Sequence, residues 1–326
     1  MKIGIVGAGA WGTALAQVAA ADGSATLIWA REPEVVASIN AARENGLFLP
    51  GIRLDPAIRA TGDLADLAAC EALLVVAPAQ HLRAVLSGLP AGDQTLVLCA
   101  KGIEEASGLL MHEVAGEVRP ASPIAVLSGP TFAHEVAQRL PTAIMLAAED
   151  AALGEALTRR IARPWFRPYY SKDVVGAEIG GAVKNVLAIA CGVVKGRGLG
   201  QNARAALISR GFAEMTRFGL AKGARIETLA GLSGLGDLVL TCSSTASRNF
   251  SLGKGLGEGR SATELLADRR TVAEGAFTAP VLKRVAAELG VDMPIVGAVC
   301  ALLAGEAGVD EVVEDLLSRP LRSEGI

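Results

Sequence analysis

Short apolar runs alternate with amphipathic stretches through the first half of the chain. Residues 2–6, 25–30, 73–77, 95–100, 124–128 and 143–147 are each rich in Val, Leu or Ile, with helical or loop sequence between them. Such runs read as strands buried on both faces, the pattern of a mainly parallel sheet. Arg163-Pro164-Trp165-Phe166-Arg167-Pro168 breaks the alternation and suits a late edge strand or a connector, because proline cannot donate to a central ladder. Beyond about Gly176 the apolar period becomes helical, over residues 177–194, 204–218, 261–266, 280–289 and 295–303. The expected architecture is α/β over residues 1–175, with a mainly parallel sheet, followed by an all-helical domain over residues 176–326. A chain of 326 residues is long enough to bury two substantial cores.

Composition changes this picture little. The chain is 51% hydrophobic with a mean hydropathy of +0.40, but alanine supplies much of that. No apolar run of spanning length beyond the first segment is free of charges or turn signals, so no membrane span is expected. Thirty-one basic and 34 acidic residues leave a net charge of −3, which gives no electrostatic case for nucleic acid. Five scattered cysteines without C-x-x-C spacing read as reduced core residues of a cytoplasmic protein, and three histidines outside any H-E-x-x-H pattern argue against a catalytic metal.

The first strand runs directly into Gly7-Ala8-Gly9-Ala10-Trp11-Gly12, which is G-x-G-x-x-G between a strand and the helix expected at 13–20. Gly7 would make the tight turn, Gly9 would let the backbone approach a diphosphate, and Gly12 would let the helix pack close to the strand. The helix start would offer its free N–H groups and positive dipole end to the phosphates. Residues 3–21 are also apolar enough to imitate a secretory signal or a membrane span. Three glycines at this spacing, a strand-like start and a second strand after one helix favour the Rossmann-type dinucleotide loop.

In such folds the residue ending the second strand meets the adenine ribose: an acidic side chain holds a 2′-hydroxyl, an arginine a 2′-phosphate. Here the strand ends at Arg31, which favours NADP(H), and the adjacent Glu32 keeps NAD(H) open.

Candidate chemistry lies further along. Lys184 lies in an otherwise apolar helix, and its side chain leans toward Gly180 and Gly181, which are expected to clear space for a ligand. A lysine in a partly dry pocket exchanges protons near neutrality. The turn Gly231-Leu232-Ser233-Gly234-Leu235-Gly236 delivers Asp237, which either orients Lys184, binds a substrate hydroxyl or caps a helix. Ser247 is placed to cap a helix whose Arg248, Asn249 and free N–H groups would grip a phosphate. Lys101 and the Gly129-Pro130-Thr131 turn follow two strands and should face the ligand edge of the sheet, Lys101 supplying positive charge and Thr131 a hydroxyl.

These motifs together resemble the prokaryotic NAD(P)-dependent glycerol-3-phosphate dehydrogenases nearly end to end. The resemblance rests on GAGAWGTALA from Gly7, NGLFLPG from Asn45, AKG from Ala100 and SGPTFAHEVA from Ser128. It continues with EIGGAVKNVLAIACG from Glu178, LSGLGDLVLTC from Leu232, SRN from Ser247 and VAEG from Val272. It implies reversible reduction of dihydroxyacetone phosphate to sn-glycerol 3-phosphate, feeding phospholipid synthesis. Carried over by position, Lys184 is the catalytic lysine. Lys101, Gly129, Thr131, Asp237, Ser247, Arg248 and Asn249 hold substrate. Ala10, Trp11, Arg31, Lys101, Ala133, Arg248, Val272 and Glu274 contact the cofactor. Two positions depart from the family pattern: Ala10 stands where serine is common, and Phe48 where tyrosine is frequent. A homodimer fits the resemblance, although no segment of the sequence identifies an interface. Rival readings of the residues are a reductase acting on a carboxylate substrate and an NADP(H) sensor without turnover; the combination of Lys184, Asp237 and Ser247-Arg248-Asn249 argues against the second.

Overall fold

The computed structural model describes residues 1–267 and 273–320. The chain forms two compact units. One comprises Met1–Ala100 with Met111–Val174, the other Lys101–Leu110 with Val175–Ile326.

The first unit is built on eight strands: β1 (Ile3–Val6), β2 (Thr26–Trp29), β3 (Ile58–Thr61), β4 (Ala72–Val75), β5 (Thr95–Leu98), β6 (Ile124–Ser128), β7 (Thr142–Ala147) and β8 (Phe166–Ser171). Their order across the sheet is β3-β2-β1-β4-β5-β6-β7-β8. The first six are parallel, β7 runs antiparallel to β6, and β8 runs parallel to β7. The order reverses at β1, which pairs with β2 on one side and β4 on the other, and ligands in such sheets bind outside the strand ends at that point. Central strands β1, β4 and β5 are buried throughout, as their unbroken apolar sequences require. Helices α1 (Ala10–Ala20), α2 (Pro33–Ala42), α3 (Leu82–Ser87), α4 (Met111–Val118), α5 (Ala133–Ala137) and α6 (Ala151–Ile161) complete the unit.

One strand differs from the sequence expectation. Strand β3, Ile-Arg-Ala-Thr, went unrecognised because only Ile58 and Ala60 are buried while Arg59 faces solvent, so it lacks an apolar run. The 163–168 segment does lead into an edge strand, and Pro168 is accommodated there in β8.

The second unit is helical: α7 (Val174–Gly196), α8 (Gly200–Ala221), α9 (Ile226–Leu229), α10 (Asp237–Thr241), α11 (Arg248–Gly257), α12 (Ala262–Leu266), α13 (Glu274–Glu288), α14 (Pro294–Ala304) and α15 (Val309–Leu317). By length and composition α7 could cross a membrane, but 89% of its apolar window is buried and its Val183, Val186, Leu187 and Ile189 form part of the unit's core. The boundary expected at 175/176 misses one excursion. Residues 101–110 belong to the helical unit because Ile103 and Leu110, each 1% exposed, bury in its hydrophobic core.

Buried Glu214 on α8 ties the fold of this unit together. Its Oε1 accepts from the Ile295 N–H at 2.8 Å and its Oε2 from the Val296 N–H at 3.3 Å, so a side chain from another helix caps α14. Burial pushes its carboxyl up to about 7 against the pull of those two amides.

Candidate active site

In the first unit the glycine loop sits at the sheet's reversal point. Gly7 has φ +110, and its N–H donates to the Trp29 carbonyl at 3.1 Å. A Cβ on Gly12 would collide with the Gly7 carbonyl oxygen, so only glycine lets α1 start this close to β1. A Cβ on Gly9, by contrast, would meet no protein atom within 4 Å. Its lack of a side chain therefore answers to no packing within the chain and fits close approach by a diphosphate. The first turn of α1, which begins with Ala10 and Trp11, carries no acidic residue and would not repel that anion. Asn45, fully buried, braces the loop: its Nδ2 donates to the Ala8 carbonyl and to Thr13 Oγ1, both at 2.8 Å. These residues fit a dinucleotide.

Arg31 follows β2 with its side chain 79% exposed, and its Nη2 pairs with Glu32 Oε1 at 2.9 Å. The carboxylate that keeps NAD(H) open is thus the partner of the arginine that favours NADP(H). Gly129 (φ +155) and Thr131 follow β6, on the same sheet edge as the glycine loop. The Thr131 hydroxyl donates a long 3.4 Å bond to the Gly129 carbonyl, and Ala133 is the first residue of α5.

In the second unit, three predicted residues meet at one point. Asp237 is the first residue of α10, fully buried, directly after a single π-helical turn, Leu232–Gly236, closed by the Gly236 N–H to Gly231 carbonyl bond at 3.0 Å. Its Oδ1 accepts from Lys184 Nζ at 2.6 Å and its Oδ2 from Lys101 Nζ at 2.7 Å. Lys184 also donates to Thr241 Oγ1 at 2.8 Å, and that hydroxyl lies 3.3 Å from Asp237 Oδ1. Two of the three Nζ hydrogens are thereby engaged among the described residues, so the third has a fixed direction.

The electrostatics follow from this geometry. Burial lowers Lys184 most strongly, the Asp237 charge raises it, and the Lys101 ammonium lowers it again, leaving it at about 8. The Asp237 carboxylate thus lies between the Lys184 and Lys101 ammonium groups, and burial of Lys184 and Asp237 strengthens the interactions there.

Thr241 is a site residue that the sequence reading passed over. The available signal was its position four residues after Asp237 on a helix, which puts both on one face. The expectation that Gly180 clears space for a ligand is corrected: a Cβ there would collide with the Ser233 carbonyl, so Gly180 admits the 232–236 turn against α7 and thereby seats Asp237 beside Lys184.

Next to Lys184, the Asn185 Oδ1 accepts from Asn249 Nδ2 at 2.9 Å, and Asn249 Oδ1 accepts from the Gly275 N–H at 2.9 Å. Ser247 caps α11 as expected, accepting from the Phe250 N–H at 3.3 Å, and exposed Arg248 opens that helix. Glu274 is the first residue of α13, and Val272 lies outside the described residues. Lys101, Lys184, Asp237, Ser247, Arg248, Asn249 and Glu274 thus belong to the helical unit. Gly7, Gly9, Ala10, Trp11, Gly12, Arg31, Gly129, Thr131 and Ala133 belong to the sheet unit.

A doubly wound sheet with the 3-2-1-4-5-6 order and a glycine loop at its reversal point defines a dinucleotide-binding protein. The helical unit, with a lysine poised near neutrality on a buried carboxylate, adds the equipment of an oxidoreductase. Residues 2–154 match the sequence profile of the NAD-dependent glycerol-3-phosphate dehydrogenase N-terminus, and residues 173–314 that of the C-terminus. The chain belongs to the NAD-dependent glycerol-3-phosphate dehydrogenase family. It is 65% identical over 323 residues to a glycerol-3-phosphate dehydrogenase [NAD(P)+] of Erythrobacter litoralis, covering 99% of this chain and 98% of that one. It is 66% identical over 327 residues to the protein of the same name from Novosphingobium aromaticivorans, with coverage of 99% and 98%. Among solved structures it is similar to glycerol-3-phosphate dehydrogenase from Coxiella burnetii, with a TM-score of 0.92 and 37% identity over 98% of this chain and 99% of that one.

Proposed function

We propose that this chain reduces dihydroxyacetone phosphate to sn-glycerol 3-phosphate with NADPH or NADH, reversibly, and so supplies glycerophospholipid synthesis. The observation that carries the reading is Lys184, buried and held by Asp237 and Thr241 with one proton left to direct. The dinucleotide would be held by Gly7, Gly9, Ala10, Trp11, Gly12, Arg31, Lys101, Ala133, Arg248, Val272 and Glu274. Its nicotinamide, when bound, supplies the hydride that reduces the ketone carbon. Lys184 donates a proton to the ketone oxygen as alkoxide charge develops and regains it from solvent. Asp237 and Thr241 hold that ammonium in place, and the Lys101 ammonium adds positive charge to the same centre. Ser247, Arg248, Asn249 and the start of α11 hold the substrate phosphate, with Gly129 and Thr131 assisting from their turn. In the oxidative direction Lys184 accepts the proton from the glycerol hydroxyl.

Five free cysteines accord with a reducing, cytoplasmic setting. The homodimer rests on the family resemblance, and sedimentation would read it as about twice the 33.3 kDa chain mass.

The test is Lys184→Ala. Turnover should fall by about 10³-fold or more while NADPH affinity stays close to wild type. Because Lys184 sits at about 8, the reductive kcat should fall as pH rises through that value and the oxidative kcat should rise through it. Turnover within a few-fold of wild type would remove Lys184 from the reaction.

A further inference from the structure

Helices α7 and α11 meet backbone to backbone, in parallel and in constant register. Asn185 bonds Asn249, a Cβ on Gly253 would collide with the Ile189 carbonyl, and one on Gly257 with the Val193 carbonyl. Each pair is offset by the same 64 residues as the hydrogen-bonded asparagines. From the other side, a Cβ on Gly192 would collide with the Phe250 carbonyl and one on Gly196 with the Lys254 carbonyl. Two pairs of glycines, each at four-residue spacing, thus line the seam, where the backbones of the two helices come together. Glycine inside a helix costs stability against alanine. Here that cost is borne four times along a single contact, which only close approach of the two backbones explains.

The seam ends at the candidate site. Its polar terminus is the Asn185–Asn249 bond; Lys184 precedes Asn185, and Ser247 and Arg248 precede Asn249. Parallel packing brings the positive end of α11 level with Lys184, and Gly275 closes the same corner, since a Cβ there would press on the Asn185 carbonyl oxygen. Resting on the reaction proposed above, we propose that the Gly192–Gly196 and Gly253–Gly257 seam is a positioning device that fixes the phosphate-holding start of α11 in register with Lys184. It thereby sets the preference for a phosphorylated ketone. These glycines touch neither substrate nor cofactor; they act through Arg248. A misplacement on the order of 1 Å between groups that must act together can cost about 10²-fold.

The experiment compares Gly253→Ala and Gly257→Ala with Gly255→Ala, whose added methyl would first meet the flexible Leu265 side chain rather than backbone. Each variant is assayed with NADPH against dihydroxyacetone phosphate and against phosphate-free dihydroxyacetone. The seam variants should lose about tenfold or more in kcat/KM on the phosphorylated ketone, mainly through KM, and less than about twofold on dihydroxyacetone. Gly255→Ala should leave the ratio between the two substrates unchanged. In an Arg248→Ala background, Gly253→Ala should cost nothing further on the phosphorylated ketone, because its effect passes through that arginine. Equal losses on both substrates, additive losses in the double variant, or failure of both seam variants to fold, read by NADPH binding and thermal midpoint, would each overturn the proposal and leave the seam a stability element. A wild-type chain that does not distinguish the two ketones would instead reject the phosphate reading on which the seam's role rests.

Discussion

Lys184 was legible in the sequence because a charge inside an apolar helical run is conspicuous. Its partners were not all legible to the same degree. Asp237 could equally have been a helix cap, and only the fold shows both of its oxygens committed to ammonium groups. Thr241 was hidden in Leu-Val-Leu-Thr, a stretch that reads as core. The Asp237 carboxylate offsets the charge of buried Lys184 and of half-buried Lys101 beside it. Asp237→Asn should therefore destabilise the protein by about 3–5 kcal/mol, measured by denaturant unfolding, since it takes the counter-charge from the buried Lys184 ammonium. In any folded fraction the kinetic midpoint near 8 should move lower, because the Asp237 charge raises Lys184. An unchanged midpoint would mean that another group titrates there. Arg31 and Glu32 form a second residue-scale pair. Releasing the guanidinium with Glu32→Gln should lower the KM for NADPH relative to NADH, and Arg31→Ala should raise it, as read from initial rates with each cofactor.

Among the elements, those with a periodic apolar signature were readable, and those defined by their neighbours were not. The glycine loop announces itself through spacing, whereas β3 buries too little to be noticed and the 232–236 π-helical turn has no pattern of its own. The role of Gly180 was likewise invisible, because nothing in the sequence says which backbone will come to rest against it. Glu214 is a further case: a charge in α8 is held inside by the amides at the start of α14, a partner that nothing in the sequence names. Its folded value of about 7 lies above the ordinary 4.5, so the native state holds this proton more tightly than the unfolded chain. Its contribution to stability is present in full below pH 4.5 and is lost as pH rises through about 7, by roughly 3 kcal/mol in all. Unfolding measured from pH 4.5 to 8 should show this decline, and Glu214→Gln should flatten it. A slope that persisted in the glutamine variant would assign it to another group.

At the scale of the whole molecule, the division into a sheet half and a helical half followed from the change in apolar period near Gly176. The return of residues 101–110 to the helical unit did not, because a ten-residue loop with two buried anchors resembles any other connection. That excursion matters chemically, since it carries Lys101 onto Asp237. The proposed reaction combines hydride from a bound dinucleotide, a proton from Lys184 and a phosphate grip at the start of α11. The most direct measurement follows nicotinamide absorbance with purified protein, dihydroxyacetone phosphate, and NADPH or NADH in parallel, with a 2-oxo acid as the competing substrate. The account predicts rapid oxidation of the cofactor by dihydroxyacetone phosphate alone, faster with NADPH. Tight cofactor binding without oxidation, or turnover only on the carboxylate, would contradict it.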